Sequence, residues 1–186
     1  MPVGEECPLS IILAKRMEVV RDDITRLDVD IIVNAANSSL LGGGGVDEAI
    51  HRAAGPGLLA ECRGLGGCPT GQVRLTGGHR LRAKYVIHAV GPVYQSGRQG
   101  EADLLRSCYQ EALRLAEEKQ AEAIAFPCIS TGVYGYPKAA ACLVATDAVI
   151  VWLSEYAHPR RVIFCCYEAT DAALYKDRLG DILKPA

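Results

Sequence analysis

Asp47 and His51 stand four residues apart in "VDEAIHRAAG", directly behind four consecutive glycines, Gly42 to Gly45. If a helix begins near Val46, both side chains lie on one face, one turn apart, with the acid at the glycine end. A carboxylate there can act as a base or orient a water; as Asp in a first turn it can equally cap the helix or sit in its positive dipole. His51 can support the acid or be a hydrogen-bonded structural histidine. The glycines cost unfolded-state entropy that no packing returns, so something other than the core requires bare backbone. A glycine-rich turn into a helix N-terminus offers open N–H groups to an anion, phosphate above all. The turn lacks the Lys-Ser/Thr ending of a P-loop and the spacing of a Rossmann first turn. A second small-residue loop, "STGVYG" from Ser130 to Gly135, comes after another apolar run and precedes Pro137, where a helix can begin. Two such loops can clasp a diphosphate with no lysine.

Residues of three further stretches could touch a ligand. Asn34 and Asn37 close the apolar run "DIIVNAAN", where a carboxamide can donate to and accept from ligand hydroxyls or satisfy a local turn. Asp22 and Asp23, in "VVRDDIT", could accept from the exocyclic amine of a purine or cap a helix starting just after them. Tyr167, after "RVIFCC", could stack on a base or belong to the core edge.

The elements that must position these residues alternate. Short β-branched runs start at Met17, Asp30, Gln72, Tyr85, Ala123 and Arg161, and helical spacing appears in "VDEAIHRAA", "EADLLRSCYQEALRLAEEKQ", "KAAACLVATDAVIVWLSEY" and "ATDAALYKDRLGDIL". Alternating strands and helices predict an α/β fold, its sheet largely parallel and covered on both faces. Ligands in such sheets bind beyond the carboxyl ends of the strands, where both loops and both asparagines fall. Gly55-Pro56 is expected to end the first of these helices.

Composition bounds the function. At 186 residues the chain fits one domain, with residues 1–16 read as an N-terminal extension and 17–186 as the domain. A net charge of −2 with scattered Lys and Arg excludes a broad electrostatic grip on nucleic acid or an anionic membrane, so an anionic ligand must be held by local dipoles. No run is long and apolar enough to span a bilayer, and the N-terminus lacks the pattern of an export signal. The eight cysteines show no CxxC pair and no finger spacing, which fits reduced, buried thiols in a cytoplasmic protein.

The residues together resemble the macrodomain family, in particular its MacroD-type branch with bacterial O-acetyl-ADP-ribose deacetylases. The stretches that carry the resemblance are "DIT" at Asp23, "VDIIVNAANSSLLGGGGVDEAIHRAAGPGLL" at Val29, "GCPTGQVRLTGG" at Gly67, "AKYVIHAVGPVY" at Ala83 and "AFPCISTGVYGYPKAAA" at Ala125. The resemblance implies a three-layer α/β/α sandwich, with a mixed, mostly parallel sheet of about six strands and ADP-ribose across the strand ends. It implies that Asp23 accepts from the adenine amine with Ile24 beside it. Gly42, Gly43, Gly44, Gly45 and Val46 form one phosphate loop, and Ser130, Thr131, Gly132, Val133 and Tyr134 the other. Asn37 holds the distal ribose, Asp47 positions or activates a water, His51 supports Asp47, and Tyr134 presses on the ribose. Two departures stand out: Asp22 precedes "DIT" and Glu48 comes after Val-Asp, where the family usually has glycine.

The activity so implied is removal of mono-ADP-ribose ester-linked to Asp or Glu side chains of proteins, and deacetylation of O-acetyl-ADP-ribose, by water and without metal or cofactor. A non-catalytic ADP-ribose reader is the alternative, and a zinc-assisted hydrolase drawing on the cysteines is a third. The expected partners are ADP-ribose, O-acetyl-ADP-ribose and mono-ADP-ribosylated proteins, with ADP-ribosylated ends the only nucleic acid left open. The chain is expected to act as a monomer, off the membrane.

Overall fold

The computed structural model describes residues 9–182. Six strands form one sheet: β1 (Met17–Arg21), β2 (Ile31–Ala35), β3 (Val73–Gly77), β4 (Tyr85–Ala89), β5 (Ala123–Phe126) and β6 (Arg161–Cys166). Their order is β1-β6-β5-β2-β4-β3, and every neighbouring pair is parallel except β3 with β4. Among the described residues six α-helices surround the sheet: α1 (Leu9–Ala14), α2 (Val46–Ala54), α3 (Pro56–Leu65), α4 (Glu101–Glu118), α5 (Lys138–Glu155) and α6 (Ala169–Ile182). This is the expected three-layer sandwich with a mixed, mostly parallel sheet.

Alternation along β2 explains the layers, because successive side chains point to opposite faces. Ile31 and Val33 pack with residues of α1, α4, α5 and α6, among them Leu13, Leu105, Tyr109, Val149 and Tyr175. Ile32 packs on the other side with Ile50 of α2 and Leu58 and Cys62 of α3. A central strand covered on both faces must be apolar on both faces, hence the run "IIV". β5 is as apolar but stops at Phe126, since Pro127 has no N–H to give the ladder.

The segment ahead of β1 takes part in this core. Leu13 of α1 is buried, and the Arg16 guanidinium donates to the carbonyls of Leu153, Tyr156, Ala157, Pro159 and Arg160. That fan ties the start of β1 to the connection between α5 and β6. Residues 1–8 of the expected extension lie outside the described residues.

Gly55 ends α2 as expected, with φ +81° and its N–H on the His51 carbonyl at 3.1 Å. Pro56 then opens α3 at its first helical position, where a missing N–H costs nothing. Periodicity does not reveal α3, which is short, carries Gly57 and Gly64, and buries only Leu58 and Cys62. Among the described residues no helix is long and apolar enough to cross a membrane.

Candidate active site

Chain connectivity brings the predicted residues to one edge of the sheet. Asp23 lies just past β1, Asn37 past β2, Ser130 past β5 and Tyr167 past β6, all at carboxyl ends of parallel strands.

The first loop is built by its glycines for separate reasons. Gly42 and Gly45 take φ of +98° and +64°, which side chains avoid. A Cβ on Gly43 would stand 3.2 Å from Asp47 Oδ2 and 3.3 Å from Asn37 Nδ2, so that glycine lets both side chains approach bare backbone. Gly44 meets neither constraint, because a Cβ there would have nothing within 4 Å. Asn37 holds the loop: its Nδ2 donates to the Gly42 carbonyl at 2.9 Å, while its Oδ1 accepts from the Ser39 N–H at 3.1 Å and hydroxyl at 2.6 Å. Val46 opens α2, half-buried, with Gly45 as its cap.

The second loop is equally strained. Ser130 holds φ +66° with its hydroxyl buried and without a hydrogen-bond partner. A Cβ on Gly91 would lie 2.1 Å from that hydroxyl, so the β4–α4 connection passes beneath Ser130 only as glycine. The Thr131 hydroxyl donates to the Cys128 carbonyl at 2.9 Å, the Gly135 N–H to the Gly132 carbonyl at 2.9 Å, and the Tyr136 N–H to the Ser130 carbonyl at 2.9 Å. Tyr134 is half-buried, and its carbonyl accepts from the Tyr94 N–H at 2.8 Å. Gly132 and Val133 are exposed at the loop tip.

Asp47 stands in the first turn of α2, directly behind the first loop. Its carboxylate is 3% exposed, although first-turn acids are ordinarily solvated. Asn34 Nδ2 donates to Asp47 Oδ1 at 2.6 Å, and His51 Nε2 lies 3.3 Å from the same oxygen without hydrogen-bond alignment. Oδ1 is thus tied inward, while Oδ2 faces Gly43. Asn34 departs from its expected place against a ligand: it is fully buried, and its amide spans Asp47 and His88. The reason is alternation on β2, which turns Asn34 onto the face of Ile32 beneath α2 and sends Asn37, beyond the strand end, to the loop.

Past the end of β1, Asp23 is the N-cap of a single 3-10 turn, Ile24–Arg26, with its Oδ1 accepting from the Thr25 N–H at 3.0 Å and hydroxyl at 2.7 Å. The Thr25 hydroxyl, with smaller help from Arg26 and Arg52, holds the Asp23 carboxyl below the usual range. Ile24 is buried. Asp22 Oδ1 accepts the Asp23 N–H at 2.7 Å, so the extra acid is absorbed into the turn. Tyr167 is 83% exposed at the end of β6. Glu48 is exposed and lies 3.8 Å from Arg52, an ordinary solvated first-turn acid.

Four residues of this site escape sequence reasoning: His88, Thr76, Cys62 and Gly91. His88 Nδ1 is 3.1 Å from Asn34 Nδ2, and its Nε2 is 2.9 Å from Thr76 Oγ1 and 3.8 Å from Cys62 Sγ. Burial, and then the facing His51, push the imidazole down to about 4. A histidine inside the apolar run "YVIHAV" is the available signal; what hides its meaning is that only the β2–β4 register sets Asn34 beside His88. The described cysteines are all unpaired, with Cys128 and Cys166 at 3.8 Å, and Cys7 lies outside the described residues.

Comparison with known proteins agrees with this geometry. The Macro domain model matches residues 33–145. The chain is 52% identical over 167 residues to the O-acetyl-ADP-ribose deacetylase of Salmonella gallinarum, covering 88% of this chain and 93% of that protein. It is 48% identical over 171 residues to human ADP-ribose glycohydrolase MACROD2, covering 91% of this chain and 40% of that longer one. An Oceanobacillus iheyensis macrodomain with ADP superposes with a TM-score of 0.86 at 41% identity, covering 90% of this chain and 91% of that one. Sequence and fold thus converge on one conclusion: the chain belongs to the Macro domain family.

Proposed function

We propose that this protein is an ADP-ribose hydrolase, which removes mono-ADP-ribose ester-linked to Asp or Glu side chains and deacetylates O-acetyl-ADP-ribose. The observation that carries the proposal is the division of labour within Asp47, with Oδ1 anchored on Asn34 and Oδ2 turned to the glycine loop. The diphosphate lies between Gly42 to Val46 and Ser130 to Tyr134, the adenine beside Asp23, Ile24 and Tyr167, and the distal ribose near Asn37 and Tyr134. A water held by Asp47 Oδ2, with His51 in support, attacks at the ester on the distal ribose. Water adds across the cleaved C–O bond, so the products are ADP-ribose and a free carboxylic acid, which then ionises. The step uses no metal. Orientation of this kind is worth several kcal/mol of barrier. The names of the deacetylase and glycohydrolase relatives, and the ADP held by the Oceanobacillus iheyensis macrodomain, support the reading. Unpaired thiols fit a reducing, cytoplasmic setting.

The test is incubation of purified protein with a carrier mono-ADP-ribosylated on Glu or Asp. Steady release of ADP-ribose is expected. Tight ADP-ribose binding with no release would instead make the protein a reader.

A further inference from the structure

We infer that His88, on the hydrolase reading above, is a positioning residue: bonded through Nε2 to Thr76 and through Nδ1 to Asn34, it fixes the Asn34 carboxamide and thereby aims Asp47.

The hydrogen-bond directions are forced from the active-site end. Asp47 Oδ1 is a carboxylate oxygen 2.6 Å from the Asn34 amide nitrogen, so Asn34 must present its NH2 group there. The second hydrogen of that NH2 faces His88 Nδ1 at 3.1 Å, so this ring nitrogen is the acceptor and carries no proton. The proton then sits on Nε2, which donates to Thr76 Oγ1 at 2.9 Å; the Thr76 hydroxyl is turned to the Val86 carbonyl at 3.5 Å. The tautomer at one end of this line of four residues is thus coupled to the carboxylate at the other.

Two observations separate this from ordinary core packing. Asn34 Oδ1 is buried without any partner, a penalty of about 1–3 kcal/mol, and with the amide turned over that oxygen would face the Asp47 carboxylate and the NH2 would stand unpartnered. The fold accepts that penalty and keeps the NH2 on Asp47. Secondly, the groups that face His88 leave its proton nowhere else to go. They are Asn34 on β2, Thr76 on β3, His51 on α2, and Cys62 on α3. The Cys62 thiol is pushed up to about 11 by burial and by Asp47, so it remains protonated, and burial keeps His88 neutral.

The test uses the full chain with an ester-linked substrate, and wild type and Asp47→Ala as references. His88→Phe fills the space without an acceptor; kcat is expected to fall about 10- to 100-fold, as for a misaimed catalytic group, with ADP-ribose affinity kept within about threefold. His88→Asn places an acceptor where Nδ1 stands and should recover about tenfold in kcat, one hydrogen bond's worth. Ring 1H–15N NMR of wild type should show the Nε2–H tautomer. Wild-type rate in His88→Phe, with Asp47→Ala inactive, would overturn the inference while leaving the hydrolase intact. An Nδ1–H tautomer would overturn it even if His88→Phe failed to fold. No hydrolysis by wild type would instead remove the hydrolase reading on which the inference rests.

Discussion

Asn34 and Asp47 are thirteen residues apart in the chain, and their side chains meet at 2.6 Å in the core. Asn34 comes from the end of β2 and Asp47 from the first turn of α2, so the glycine loop between them is closed at both ends by one hydrogen bond. Asn34→Leu keeps the volume and leaves the Asp47 carboxylate buried without its donor. Stability should fall by about 2–3 kcal/mol, a loss measurable by urea unfolding. Asn34→Asp sets two carboxyls at the same distance, so its stability deficit should widen as pH rises through the carboxylate range.

The glycines should separate by role. Gly42→Ala and Gly45→Ala force a side chain into φ of +98° and +64°, and each should cost about 1 kcal/mol of stability. Gly43→Ala should leave the melting temperature nearly unchanged and lower turnover, because its Cβ would press on Asp47 and Asn37. Gly44→Ala places its Cβ in open space in the free protein. It should fold as wild type and lose ADP-ribose affinity in calorimetry, which would show that bare backbone is wanted there by the ligand.

The uneven legibility of the site has a physical pattern. The start of α2 at Val46 is readable because glycines and an acidic first turn are local signals, and both loops are foreshadowed by small residues that come after apolar strands. The role of Asn34 is not readable. Its place at a strand end suggests a ligand, and only the pleat of β2 turns it inward to Asp47. Thr76, His88 and Asn34 lie on three neighbouring strands, and their contact depends on register across β3, β4 and β2, which no local pattern encodes. The helix α3 escapes notice because Gly55-Pro56, a sound stop signal, is also a sound start.

Buried and neutral, His88 should leave a mark on the acid stability of the protein. Its folded value is depressed from 6.5 to about 4, so the unfolded chain takes up the proton first as pH falls. Stability from this group is fully present above the unfolded value and is lost as pH drops through that window, by about 3 kcal/mol at its lower end. Urea unfolding of wild type and His88→Asn between about pH 4 and 7 should show this slope in wild type and its reduction in the variant.

Arg16 provides a control remote from the chemistry. Arg16→Ala deprives five carbonyls of one shared donor and should lower stability by about 2 kcal/mol, with ADP-ribose affinity at room temperature unchanged. Circular-dichroism melts and calorimetry on the same preparation would check both halves.

On the proposed mechanism Asp47 works through its charge, with Oδ2 holding the attacking water. The most direct measurement is single-turnover release of ADP-ribose from a carboxylate-linked substrate by wild type and Asp47→Asn, without added metal and with ADP-ribose affinity measured in parallel. Asp47→Asn keeps the shape and can still accept from Asn34. With Asp47→Asn the rate should fall by about 10²–10⁴ with binding retained. Release at the wild-type rate would contradict it and return Asp47 to the role of a buried helix cap.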